Sequence, residues 1–358
     1  HYFLISFSIL SFLISANIAW LNPFPEEILY KVFENIPFLW QYNRDVPVEI
    51  LSSTGFLEYF ERDPTRIERP GLPFLAYIFG HIFYFLNFNI INLPIIYFTA
   101  GSYVLVKFIL HYISSILLYK ILKNFFSENI SKIGLIIFFL HYITIRHLAE
   151  IHTNNMLLIT PIIIAYLAIN ILNKENFFNV FFFSVIFGLL VLIKSVYSFY
   201  FAILVFLFLK RKYLTIIQSV LIHFIPIIIW LLILKANNLQ FYSATMYGEI
   251  PGHVTMVTWF LNDLVNFNFE GIFRQFIKSF IDFLLIFIKY YNFLLIFIFI
   301  GLFIFLKKED SQIKKDILLF SFLAIFLSFI QLFMTQKGSI NLYMGRDYFL
   351  ICLFYILI

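Results

Sequence analysis

The sequence is short of charge, glycine and cysteine, and each shortage closes off a class of answers. Only 13% of its 358 residues are charged, where a soluble domain carries roughly 25%. A water-soluble globule is therefore set aside. The single cysteine, Cys352, lies in an apolar run. A disulfide framework, a CxxC redox pair and a Cys/His zinc site are all ruled out. Glycine occurs 12 times, and no glycine-rich phosphate loop is present. Repeated halves and glycine- or proline-broken hydrophobic segments, which transporters with a midplane site commonly use, are missing as well, and this counts against a transporter. The balance of +5 is not a nucleic-acid footprint. The lysines gather in short breaks between apolar runs, where cytoplasmic charge collects.

What is present is hydrocarbon-compatible chain: 62% hydrophobic residues, 22% aromatic, and a mean hydropathy of +0.91. Only helices or closed barrels satisfy their backbone in lipid. Continuous apolar runs favour helices, since barrel strands would alternate. The fold class expected is all-α integral membrane, with about ten to eleven crossings of about 20 residues each. The first runs from Tyr2 to Trp20. The later ones are Tyr97–Leu122, Ile133–Ile145, Asn155–Leu172, Phe177–Ile193, Tyr197–Leu209, Leu214–Leu234, Phe280–Leu306, Ile317–Met334 and one from Tyr348. Residues 1–358 form a single polytopic domain in this reading. Residues 21–92 make a first long loop with interfacial helices, and 235–278 a second long loop. The sequence starts at His1 and ends about a dozen residues into an apolar run that needs about 20 to cross, so both ends are expected to be trimmed. No small-residue cleavage pattern follows the first run, which favours an uncleaved span over a signal peptide.

The segment Leu72–Phe88 decides the topology. If it crosses, Lys120, Lys123, Lys132, Lys210, Arg211, Lys212, Lys307, Lys308, Lys314 and Lys315 share a side with the first long loop. If it lies along the interface, those cations fall opposite both long loops, as the positive-inside rule prefers. Tyr77, His81 and Tyr84 suit an interfacial helix. The basic loops are then cytoplasmic and the long loops exoplasmic.

Four places could carry chemistry. Glu26 and Glu27, just outside the first span, could serve as general base or hold a divalent cation; acidic residues in a helix's first turn would look the same. In the run Glu61–Pro73, Arg66 and Arg69 are one helical turn apart, and guanidinium groups suit phosphate oxygens. A solvated or headgroup-facing charge cluster is the plainer reading. His147, Glu150 and His152 lie in a short turn, with His147 and Glu150 at a metal-compatible spacing that also suits a hairpin cap. Lys194, between two short apolar segments, could touch a lipid phosphate or snorkel. Lys107, Asp282 and Lys289 fall inside apolar runs, where ionisable groups are functional suspects by default.

This order of features resembles the GT-C glycosyltransferases that use polyprenyl-phosphate sugars, the superfamily of protein mannosyltransferases and aminoarabinose transferases. Glu26-Glu27-x-x-Tyr30 looks like their acidic pair with its tyrosine. Arg69-Pro70-Gly71-Leu72-Pro73 is similar to their proline element, which opens an interfacial helix. Glu150-Ile151-His152 leads into a later span as theirs does, and the stretch Gly188–Lys194 with Lys210-Arg211-Lys212 resembles their paired short helices with a basic end. The likeness covers about residues 1–235 of the chain. It departs at Glu26, where the family usually has Asp, and in the length of the loop from Phe33 to Glu61, which keeps Asp45 and Asp63 in play as the base. The resemblance implies an inverting transfer to a lipid, glycan or protein acceptor. Glu26, Glu27 or Asp63 would be catalytic, while Arg66, Arg69 and Lys194 would stabilise the leaving phosphate. No nucleotide site is needed, and no cofactor is implied beyond a divalent cation. A transporter or lipid flippase is the alternative, and a membrane scaffold a third reading.

Overall fold

Apolar runs that lack strand-like alternation fold as helices here. The structure is a computed structural model. It describes residues 2–21, 54–55, 57, 70–87, 93–141, 144–145, 148, 156–174, 176–193, 197–239, 246–247, 250–251, 253–291, 296, 298–301, 303, 319–320, 322–327, 329–330 and 333–334. The main helices are α1 (Tyr2–Leu21), α2 (Gly71–Asn87), α3 (Ile95–Lys123), α4 (Glu128–Leu140), α5 (Met156–Asn173), α6 (Phe177–Ile193), α7 (Tyr197–Leu209), α8 (Tyr213–Ala236), α9 (His253–Val265) and α10 (Phe269–Tyr291). Two short strands, β1 (Met246–Tyr247) and β2 (Ile250–Pro251), pair antiparallel. Among the described residues the fold is otherwise all-helical.

Two helices, α3 and α8, are long and apolar enough to cross a membrane. At 1.5 Å per residue they measure about 43 and 36 Å, against about 30 Å of hydrocarbon. The other expected spans either appear as shorter apolar helices, such as Phe177–Ile193, or fall wholly or partly outside the described residues. Boundaries shift where polar residues belong to a helix. Helix α4 begins at Glu128, ahead of the apolar run, because Glu128 occupies its first turn and pairs with Lys132 at 2.7 Å. It stops at His141, whose backbone is extended. Helix α10 starts at Phe269 rather than Phe280 because its first turns are amphipathic.

The chain divides into two compact units: residues 1–166, 188–195 and 226–240, and residues 167–187, 196–225 and 241–358. In the first unit α3 is the hub, in contact with α1, α2 and α4. Phe12 of α1 meets Phe108 edge-on at 5.4 Å, and Phe139 of α4 meets His111 edge-on at 4.7 Å. Gly80 lets α2 approach α3. A β-carbon there would lie 2.7 Å from Thr99 Cα, closer than any carbon contact allows. Trp230 and Leu234 of α8 pack with Leu57, Tyr77, Leu192 and Leu239. The Lys132 ammonium sits over the Phe3 ring at 5.6 Å. The start of α1 therefore shares an end of this unit with the turn between α3 and α4. In the second unit Phe283, Phe329 and Phe333 form a core with Trp259, Phe260 and Phe276 around them, and the Trp259 indole donates to the Met334 carbonyl at 2.8 Å.

Candidate functional site

The residues singled out for transfer chemistry, Glu26, Glu27, Tyr30, Asp45, Asp63, Arg66, Arg69, Glu150, His152 and Lys194, all lie outside the described residues, as does His147. The described helices carry a different polar feature, built on serine, histidine and lysine.

Three helices bury a row of polar side chains among apolar ones and expose apolar residues on the far side. On α3, Thr99, Lys107, His111, Ser114 and Ser115 are all fully buried, while Leu105, Ile109 and Ile113 on the far side are exposed. On α1, Ser8, Ser11 and Ser15 are buried, whereas Ile5, Ile9 and Leu13 are exposed. On α8, Thr215, Ser219 and His223 are buried, and Leu214, Ile217 and Leu221 are not. Helical spacing explains the rows, since residues four apart share a face. A helix in water puts its apolar stripe inward. The reverse arrangement suits an exterior that is itself hydrocarbon.

The inward rows of α1 and α3 meet at His111. The Ser11 hydroxyl lies 2.8 Å from the Phe7 carbonyl and 2.9 Å from His111 Nε2. A hydroxyl has one proton to give. With that proton on Phe7, Ser11 accepts from Nε2–H of His111. Phe12 stacks near the imidazole at 6.3 Å and Phe139 closes its edge. Among the described residues, Ser8 Oγ, Ser102 Oγ and His111 Nδ1 have no hydrogen-bond partner, and neither do Thr144 Oγ1, Thr160 Oγ1 and Ser279 Oγ elsewhere in the chain. Buried polar atoms of this kind are costly, and Ser8, Ser102 and His111 all belong to α1 or α3. Lys107 is one turn from His111. The two stand two residues either side of Ile109, the midpoint of α3, so about 3 Å from its centre. Lys107 was legible in the sequence as a charge inside an apolar run. His111 was not, because an isolated histidine in such a run reads as packing; its spacing of four from Lys107 was the available signal.

A second cluster lies in the other unit. The Ser184 hydroxyl donates to Ser219 at 3.0 Å, the Tyr200 hydroxyl lies 2.9 Å from Ser219, and His223 Nδ1 is 3.5 Å from Tyr200. The Tyr200 ring stacks on Phe187 at 3.9 Å. His223 Nδ1 also sits 2.6 Å from the Val220 carbonyl. The Nδ1 proton therefore goes to backbone, and the network reads as a tie between α6, α7 and α8.

No family model, curated protein or solved structure matches the chain. Function therefore has to be argued from its own residues. Among those described, no group of three His, Cys, Asp or Glu side chains could hold a metal ion. The buried Lys107, His111 and Ser11 offer one amine, one imidazole and a hydroxyl near the middle of α3. Such groups can conduct or hold a proton, or neutralise an anionic group.

Proposed function

We propose that the chain is a multi-pass integral membrane protein that transfers a sugar from a polyprenyl-phosphate donor to an exoplasmic lipid, glycan or protein acceptor of the cell envelope. The observation that carries this reading is helix α2. Pro70 accepts its first backbone bond, from Phe74 at 2.8 Å, directly after the arginine-rich run. Helix α2 has 17 residues, and Phe74, Phe79, Ile82 and Phe85 are exposed along it. Its place directly after the arginine-rich run and that apolar surface suit a helix lying in the exoplasmic interface. Basic loops are cytoplasmic in this reading, and the shared end of Phe3, Lys132 and the α3–α4 turn supports placing the start of α1 with them.

The chemistry follows from the loops around α2. A first-loop carboxylate, Glu26 or Glu27, with Asp45 and Asp63 as alternatives, removes the acceptor hydroxyl proton. The oxygen then attacks the anomeric carbon, the bond from that carbon to phosphate breaks, and the lipid phosphate leaves with the electron pair. Arg66, Arg69 and Lys194 neutralise it. The test is transfer from a radiolabelled polyprenyl-phosphate sugar in reconstituted vesicles. The double variant Glu26→Gln/Glu27→Gln is expected to lose turnover while retaining donor binding, whereas Arg69→Ala weakens donor binding too. Unchanged transfer in the double Gln variant moves the base to Asp45 or Asp63.

The buried pair Lys107 and His111 favours a second reading, a transporter or lipid flippase. Solute uptake or lipid translocation that depends on Lys107, together with no transfer from any lipid-linked sugar, would decide for it.

A further inference from the structure

The corner between α9 and α10 combines a strained backbone with an exposed aromatic tip. Helix α9 ends in a Schellman cap: Asn268 N–H donates to the Asp263 carbonyl at 2.8 Å and Phe267 N–H to Leu264 at 3.2 Å. The cap puts Phe267 at φ 54°. Glycine or asparagine normally fills that position. The equivalent caps after α7 and α8 use Arg211 and Asn238, so a bulky apolar side chain is not a requirement of the turn. Asparagines stand on both sides of Phe267, yet the phenyl ring occupies the strained position and is 77% exposed. Val265 is 73% exposed, and the Phe269 ring stands edge-on to Phe267 at 6.1 Å. The backbone beneath is well tied, since the Asn268 side chain accepts from Gly271 N–H at 3.1 Å and donates to Asp263 at 3.2 Å.

Helix α10 continues the pattern in three rows. Ile272, Phe276 and Phe283 belong to the core with Phe329 and Phe333. Phe269, Phe273, Ile277 and Ile281 form an exposed apolar row. Glu270, Arg274, Lys278 and Asp282 form a polar row beside it, with Glu270 and Arg274 paired. A surface helix in water needs one apolar face. This one has a second, flanked by a row of two acidic and two basic residues.

We propose that this corner is a wedge in the lipid interface. Phe267, Val265, Phe269 and Phe273 enter the upper acyl region, and Arg274 and Lys278 stand at the level of the lipid phosphates. The proposal rests on the membrane reading above. An aromatic ring in the headgroup–acyl boundary gains apolar burial that water denies it, and this supplies a reason for phenylalanine at a position where backbone preference opposes it.

The test uses the full chain with Cys352→Ser, carrying one cysteine at a time, labelled with a small fluorophore and reconstituted in phosphatidylcholine–phosphatidylglycerol vesicles. At Phe267→Cys, chain-brominated lipid is expected to quench at least about twice as strongly as aqueous iodide, because the ring would lie about 5–10 Å below the headgroups. At Asn262→Cys on α9 the order should reverse. Phe267→Asn suits the cap better, so it should leave thermal stability unchanged or raised while lowering lipid quenching of a probe at Phe273→Cys. Iodide quenching at Phe267 equal to or above that by bromolipid overturns the wedge, as does pyrene excimer emission there, which would assign the tip to a second copy of the chain. Alkaline carbonate extraction separates the two failures: retention in the membrane without lipid quenching sinks the wedge alone, whereas release into the supernatant sinks the membrane reading.

Discussion

Replacing Gly80 by alanine should weaken the contact of α2 with α3, and the structure fixes the size of the effect. The new β-carbon would lie 2.6 Å from Thr99 Cγ2, 2.7 Å from Thr99 Cα and 3.0 Å from Thr99 N. Carbon atoms rest at about 3.5–4.0 Å, so the two helices must part by about 1 Å. Two of the three obstacles are backbone atoms, and no rotamer change removes them. Overpacking of this sort costs about 1–3 kcal/mol, and a backbone obstacle belongs at the upper end. Alanine returns about 1 kcal/mol of helix propensity. The net loss is about 1–2 kcal/mol. Moving Thr99 also stretches its hydroxyl contact with Thr54, which is 3.0 Å long. Gly101 is the matched control: a β-carbon there meets nothing within 4 Å. Gly101→Ala keeps the propensity gain without the clash and should be neutral to about 1 kcal/mol stabilising. The two variants should then differ by about 1–3 kcal/mol, read by reversible unfolding in mixed micelles. Equal stabilities would refute the close approach of α2 to α3.

Two further outcomes are expected. Ser11→Ala leaves His111 Nε2 without its 2.9 Å partner and should cost about 1–3 kcal/mol; adding His111→Phe removes the stranded group and should recover part of that loss, so a double-variant cycle with no coupling would count against the bond. Glu128 is held below the ordinary carboxylate value, first by the hydrogen bond from Lys132 and then by the charges of Lys132 and Lys123. Its contribution is therefore present above the unfolded carboxylate pKa of about 4.3 and disappears as pH falls through the lowered folded value. The difference in Tm between the native chain and Glu128→Gln should shrink to nothing across that window, and it will be small at neutral pH because the pair is solvent-exposed.

Helix positions were legible because a long apolar run admits little else. Phe177–Ile193 and Tyr197–Leu209 match the sequence reading to the residue. What escaped it was polarity arranged by face. The serines of α1 and α3 are spaced so that hydropathy averages them away, and only a helical reading at intervals of three and four collects Ser8, Ser11 and Ser15, or Thr99, Lys107, His111 and Ser115, into rows. The segment 235–278 read as polar loop because averaging also hides an amphipathic helix such as α10, whose charged row dilutes its two apolar ones. The candidate transfer residues were legible as a pattern of acidic pair, arginines and proline. Of that pattern the described residues include the helix opening at Pro70.

The buried hydroxyls fall into two mechanical kinds. Ser114, Ser115 and Ser131 each donate to a carbonyl one turn back on their own helix. A hydroxyl bonded in this way travels with its helix and asks nothing of the neighbour, so a surface carrying such groups can slide along its partner without stranding a polar atom. Ser11 and Ser184 also bond a carbonyl one turn back, but Ser11 reaches His111, Ser184 reaches Ser219 and Ser219 reaches Tyr200 on another helix, and there a shift of one residue breaks a bond. Self-contained serines therefore act as bearings and the cross-helix pairs as pins.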